Sequence, residues 1–181
     1  MNFVKFQKLV EERTGFRTME KPMASGDYFS DSCGDMYTYY LQVGPGDVIE
    51  DVSYFTTGCG FGTATCSLLV DLARGKTIEQ AYAISDAMIE AELDGYPDKK
   101  KDYPSRSIAA LREAIDDYRK KRAAGAITDG MLEEARVAAV VASAQRTATE
   151  GASAPVGKTE EDAKRDPVVA NNEGKLTISL R

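Results

Sequence analysis

Apolar positions along this chain change their period several times, and each change marks an element. Phe3, Val4, Phe6, Leu9 and Val10 recur near helical spacing between charged residues, which predicts a short amphipathic helix over Phe3–Arg13. No period holds across Thr14–Asp31, with glycines at 15 and 26, and that stretch reads as irregular chain wrapping a sheet. Met36–Val43 and Val48–Phe55 flank Gly44-Pro45-Gly46, the pattern of a β-hairpin. The tyrosines and phenylalanines clustered around it (Tyr28, Phe29, Tyr37, Tyr39, Tyr40, Tyr54, Phe55) read as sheet packing.

Helical signals follow. Small residues leading into Leu68-Leu69-Val70 predict a helix over Gly62–Arg74. Thr77 with Glu79-Gln80 behind it opens Thr77–Ala83, and Ser85 opens Ser85–Leu93. Asp94–Pro104, with Lys99-Lys100-Lys101, reads as a charged loop. Ile108, Leu111, Ile115 and Tyr118 then share one face of a long helix over Ser107–Lys121.

Beyond Arg122 the pattern loosens. Ala123-Ala124-Gly125 breaks the helix, and Thr128-Asp129 caps another running from Gly130 to about residue 147. Its apolar residues (Met131, Leu132, Ala135, Ala138, Val141) need something to bury them. Gly151–Asn172 is rich in Ala, Ser, Pro and charge and reads as linker. Lys175–Leu180 alternates like a strand, useful only against a sheet edge of its own or another chain. The expected organisation is a domain over 1–122, an extra helix over 123–150 and a tail over 151–181, the extension being a candidate docking arm.

A net charge of −6 argues against general binding to nucleic acid or anionic membrane. No apolar stretch approaches the roughly 20 residues that span a bilayer. The N-terminal residues alternate apolar with charged positions rather than forming a signal-peptide block, so the expected location is cytoplasmic. There is no histidine, hence no histidine base and no Ser–His arrangement; a P-loop and a dinucleotide fingerprint are missing too. The expectation is a protein that is not an enzyme.

The candidate chemistry sits in two glycine-bracketed turns. Cys33 stands in Ser32-Cys33-Gly34-Asp35 and Cys59 in Thr57-Gly58-Cys59-Gly60, at the two outer ends of the hairpin. A hairpin brings those ends together, and Asp35 adds a hard oxygen beside two soft sulfurs, so the constellation suggests a metal or sulfur site. Cys59 also precedes a helix start, whose partial positive charge favours a thiolate. The bland alternatives are two buried thiols and a turn-capping aspartate, or a disulfide, which a reducing cytosol would not keep. Cys66 lies about two turns into the following helix, roughly 10 Å along its axis from Cys59 at 1.5 Å per residue. Thiolates sharing a metal stand about 4 Å apart at metal–sulfur distances near 2.3 Å. Cys66 therefore reads first as a packed core residue and second as a ligand.

Cys-Gly-Asp, a hairpin, Gly-Cys-Gly, a small-residue helix start and Gly75-Lys76-Thr77 together resemble the IscU/NifU-type iron–sulfur cluster assembly scaffolds, from about Ser32 to Lys121. The resemblance implies an α+β fold, a small antiparallel sheet packed against several helices, here with a helical C-terminal extension and a flexible tail. It implies a transient [2Fe–2S] cluster or iron (zinc as the alternative metal) on Cys33, Asp35 and Cys59, with a cysteine desulfurase and Fe–S acceptor proteins as partners. The family's third cysteine, usually after a histidine, is matched here by Arg106 after Ser105. The Leu-Pro-Pro-Val-Lys segment associated with Hsp70-type chaperones is matched by Tyr96-Pro97-Asp98-Lys99-Lys100-Lys101. Arginine offers no lone pair to a metal, but it attracts a thiolate, a persulfide or a carboxylate. A fourth ligand would come from Cys66, from an external thiol such as glutathione, or from another subunit of a homo-oligomer. The alternative is an IscU-like metal-binding or structural subunit docked in a larger enzyme complex through its C-terminal extension.

Overall fold

A computed structural model describes residues 1–150, with side chains to Gln145. The linker expected over Gly151–Asn172 and the strand over Lys175–Leu180 lie outside the described residues. Met1–Gln145 forms one compact unit.

The element order is α1 (Phe3–Glu12), β1 (Ala24–Ser30), β2 (Asp35–Gly44), β3 (Val48–Thr56), α2 (Gly60–Ala73), α3 (Ile78–Tyr82), α4 (Asp86–Glu92), α5 (Tyr103–Ala123) and α6 (Asp129–Glu150). The strands pair antiparallel in the order β1-β2-β3. Tyr37, Tyr39, Leu41 and Val43 alternate along β2 and are all fully buried, as strand periodicity requires. On the covered face Tyr39 Oη meets Ser107 Oγ at 2.7 Å, and Tyr54 Oη meets Ser67 Oγ at 2.7 Å. Each helix thus supplies the partner that a buried phenol needs. The α+β architecture is as expected.

The structure departs from the sequence reading at Thr14–Asp31. Ala24–Ser30 is not irregular chain: it is a full strand, in register with β2 from Ala24↔Leu41 to Ser30↔Asp35. It is held from behind by α5, which comes so close at Gly26 that a Cβ there would lie 2.0 Å from the Ala114 nitrogen. A second departure concerns Asp94–Pro104, where α5 starts at Tyr103, earlier than the Ser107 expected. Pro104 sits in the first turn, where its missing N–H costs nothing.

Helix ends follow their capping chemistry. Asn2 accepts from the Lys5 amide, and Thr77 with Gln80 forms a reciprocal capping box. Ser85 Oγ accepts from the Met88 amide. Thr128 Oγ1 does the same for Met131 at the start of α6, and Ile127 and Leu132 join the common core.

Candidate metal and sulfur centre

Three elements deliver the site. The turn between β1 and β2 is closed by Cys33 and Gly34 amides donating to Ser30 O at 3.3 and 2.8 Å. Gly34 has φ +70°, a left-handed conformation that costs glycine little, and this lifts Cys33 to the tip. The end of β3 is pinned to the start of β2: Met36 N donates to Thr57 Oγ1 at 2.9 Å and Thr57 N to Met36 O at 3.2 Å. Gly58 and Cys59 follow at once, with Cys59 as N-cap of α2. Both thiols are exposed, and Asp35 is half-buried. A Cβ on Gly58 would fall 3.3 Å from Asp35 Oδ2, so the carboxylate lies against the Cys59 turn.

The third element is the first turn of α5, where Tyr103 and Arg106 stand one turn apart, both buried. Tyr103 Oη lies 3.2 Å from Cys59 Sγ. Arg106 Nη1 donates to Cys33 Sγ at 2.8 Å, and Nη2 to Ser32 Oγ at 2.9 Å. Asp102 forms an ion pair with Arg106, and the guanidinium stacks 5.0 Å from the Tyr103 ring centroid. Lys100 Nζ donates to Tyr103 Oη at 3.3 Å and lies 5.5 Å from the Phe61 centroid.

Similarity to known proteins settles what this fold is. Residues 11–125 match the NifU-like N terminal domain. The chain belongs to that family. It is 38% identical over 113 residues to the iron-sulfur cluster assembly scaffold protein IscU 1 of Archaeoglobus fulgidus, covering 62% of this chain and 67% of that protein. It is 32% identical over 109 residues to the iron-sulfur cluster assembly scaffold protein IscU of Escherichia coli K12, covering 60% of this chain and 84% of the other. A solved NifU-like N-terminal protein from Brucella abortus shares the fold at TM-score 0.52 and 17% identity, over 65% of this chain and 93% of that one.

Within this NifU-like domain the two surface thiols have different surroundings. Partial burial alone would raise the Cys59 thiol, but the Tyr103 hydroxyl, the facing amides of Phe61 and Gly62 and the Lys100 charge outweigh it and lower it. Tyr103 itself is pushed up by burial and by its bond to Cys59, so it stays a donor. Cys33 Sγ donates to Ser30 Oγ at 3.3 Å while receiving the Arg106 bond. Cys66 is a core residue: fully buried in α2, 3.2 Å from Ser107 Oγ, and pushed up to about 11 by burial.

Among the described residues, no three His, Cys, Asp or Glu side chains converge tightly enough to hold a metal ion. Tyr103 and Arg106 each hold one of the two exposed sulfurs. The sequence names Cys33, Asp35, Cys59 and Arg106 as candidates, which lie at one end of the sheet, but its pattern leaves Tyr103 and Lys100 in a loop. The missed signal was Pro104, a first-turn residue that places Tyr103 and Arg106 three apart on one helical face.

A lowered pKa puts thiolate on Cys59 at a lower pH than on a free cysteine, whereas Cys66 ionises only near 11. Iodoacetamide at neutral pH should therefore label Cys59 and spare Cys66 in the folded protein, as read by peptide mass. Labelling of Cys66 at a similar rate would contradict its burial.

Proposed function

We propose that this chain is an iron–sulfur cluster assembly scaffold that carries a transient [2Fe–2S] cluster or iron on Cys33, Asp35 and Cys59, the cluster being cargo. The observation that carries this reading is the placement of two exposed cysteines at one end of the sheet, both sulfurs held by the first turn of α5. The scaffold names of the relatives support it. Thiolates on open turns load and release a metal, whereas a closed four-ligand structural site retains it. A cysteine desulfurase would supply sulfur and acceptor proteins would take the cluster; the role is assembly, not catalysis.

The donor set suits the cargo with one place open. Both hydrogen bonds to sulfur are exchangeable, and Asp35 lies against the Cys59 turn. Arg106 contributes charge but no lone pair. Burial and the bond to Ser107 argue against Cys66 as the fourth ligand. An external thiol or a second subunit is the better source. Zinc, favoured by thiolate and carboxylate donors, is the competing metal.

A second reading, a structural or metal-binding subunit of a larger complex, draws support from α6, where Val137, Val140 and Val141 are half or more exposed. The deciding measurement is iron, zinc and acid-labile sulfide content of protein purified without oxygen, before and after reconstitution with ferrous iron, cysteine and a cysteine desulfurase. Iron and sulfide in equal amounts, with cluster absorption, are expected. Zinc alone throughout, or no metal in any preparation, would overturn the scaffold and favour the subunit.

A further inference from the structure

Tyr37 has no place in the ligand set, yet it stands at the centre of the site. It is fully buried on β2, two residues beyond Asp35 and on the same strand face. Tyr39 and Tyr54 on the covered face each find a serine hydroxyl. The Tyr37 hydroxyl finds no partner. Burying a phenol unpaired is costly, and such groups in native folds call for an explanation.

Its surroundings point to a ligand. A Cβ on Gly58 or Gly62 would fall 3.4 or 3.3 Å from Tyr37 Oη, so a side chain at either glycine around Cys59 would crowd the hydroxyl. Arg106 stands close to it without making a well-formed bond, its Nη1 donating to Cys33 and its Nη2 to Ser32 and Asp102. An unused donor thus stands beside a fixed cation, and that cation holds the Cys33 sulfur.

We propose that Tyr37 and Arg106 together hold the outer sulfur of a persulfide formed on Cys33, an inference that rests on the scaffold reading. The donor is a persulfide of the class R–S–SH. The Cys33 thiolate attacks its outer sulfur, a new S–S bond forms as the donor S–S bond breaks, and the proton of the donor persulfide leaves on the released thiol R–SH. The reaction exchanges one disulfide-type bond for another, so no further oxidant or reductant enters. The product on Cys33 carries its negative charge on a sulfur about 2 Å beyond Sγ. There it takes a charge-assisted bond from the guanidinium and a second from the phenol, both stronger than neutral contacts. Cys59 takes no guanidinium bond: the neutral Tyr103 hydroxyl is on its sulfur, with the Lys100 charge nearby. Tyr37 acts as a positioning residue for sulfur, not as a metal ligand.

The test uses iron-free, full-length protein treated with glutathione persulfide, trapped by alkylation and mapped by peptide mass. The Cys33 peptide should gain one sulfur well ahead of the Cys59 peptide. Tyr37→Phe should shorten the lifetime of that adduct against added thiol by about tenfold, the worth of one hydrogen bond to a charged group. Arg106→Met should shorten it further, and Arg106→Lys should recover part of the loss. Tyr37→Phe removes only an unpartnered oxygen, so the melting temperature should hold, which separates positioning from folding. Sulfur on Cys59 alone, sulfur on neither thiol, or an undiminished lifetime in Tyr37→Phe overturns the inference. If iron and sulfide still load under those outcomes, the scaffold reading stands without it; if loading fails too, both fall.

Discussion

Gly26→Ala should cost this fold about 3 kcal/mol or more and lower its melting temperature by about 10 °C. The added methyl would lie 2.0 Å from the Ala114 nitrogen, 2.5 Å from the Glu113 carbonyl carbon and 2.6 Å from the Ala110 oxygen. All three are backbone atoms of α5, so no side chain can swing away to make room. Either β1 lifts off the helix or α5 moves off the sheet, and both loosen packing that a rigid interior transmits. The consequence reaches the site, because β1 ends at Ser30, whose carbonyl and hydroxyl hold the Cys33 turn. Thermal unfolding followed by circular dichroism checks the stability, and Cys33 alkylation checks the turn. An unchanged melting temperature would mean that β1 does not pack on α5 as described.

That same glycine shows where the sequence was opaque. Ala24-Ser25-Gly26-Asp27-Tyr28-Phe29-Ser30 contains no β-branched residue, and its alternation is weak, so nothing local announces a strand. It forms because β2 offers an edge and α5 covers it, both of which are long-range facts. Where the chain carries its own signal, the reading was good. Ile108, Leu111, Ile115 and Tyr118 are all buried on one face of α5. Thr77 and Gln80 form the cap their order implies.

The site divides in the same way. Glycine turns mark Cys33 and Cys59, since the turn at Gly34 needs positive φ and the one at Cys59 opens a helix. Arg106 was legible only through the family resemblance, as the residue at the place of the third cysteine. Tyr37 was not, because one more tyrosine among so many aromatics reads as packing, and its ring does pack. Only the missing partner of its hydroxyl distinguishes it from Tyr39 and Tyr54, and a hydrogen-bond inventory has no trace in a periodicity. Tyr103 was lost to a helix boundary, the least reliable feature to read from sequence, and Lys100 lies in the short turn Asp98–Lys100 before it.

Substitutions at the thiols and at Arg106 should have the largest effect on cargo. Cys33→Ser or Cys59→Ser should each reduce iron and sulfide loading by about a hundredfold or more, since even an outer-shell change costs about 10- to 100-fold in affinity. Cys66→Ser should leave loading in place and alter packing alone, because that thiol is enclosed with Ser107 and Tyr39. Arg106→Cys should act in the opposite direction. The guanidinium now touches the Cys33 sulfur at 2.8 Å, whereas two thiolates on one metal stand about 4 Å apart. The shorter side chain draws back from contact and frees Cys33 from its hydrogen bond. A cation that cannot ligate gives way to a third thiolate, and a chelator should strip the reconstituted cluster at least tenfold more slowly, by the scale of an outer-shell ligand. The cost falls on sulfur acceptance, where the persulfide on Cys33 loses its guanidinium and its lifetime should drop as in Arg106→Met. Absorbance decay under chelator, set beside persulfide lifetime for the same variant, separates the two roles. If Arg106→Cys weakens cluster retention, or if Cys66→Ser removes the cargo while Cys33→Ser spares it, the assignment of Cys33, Asp35 and Cys59 as ligands is wrong.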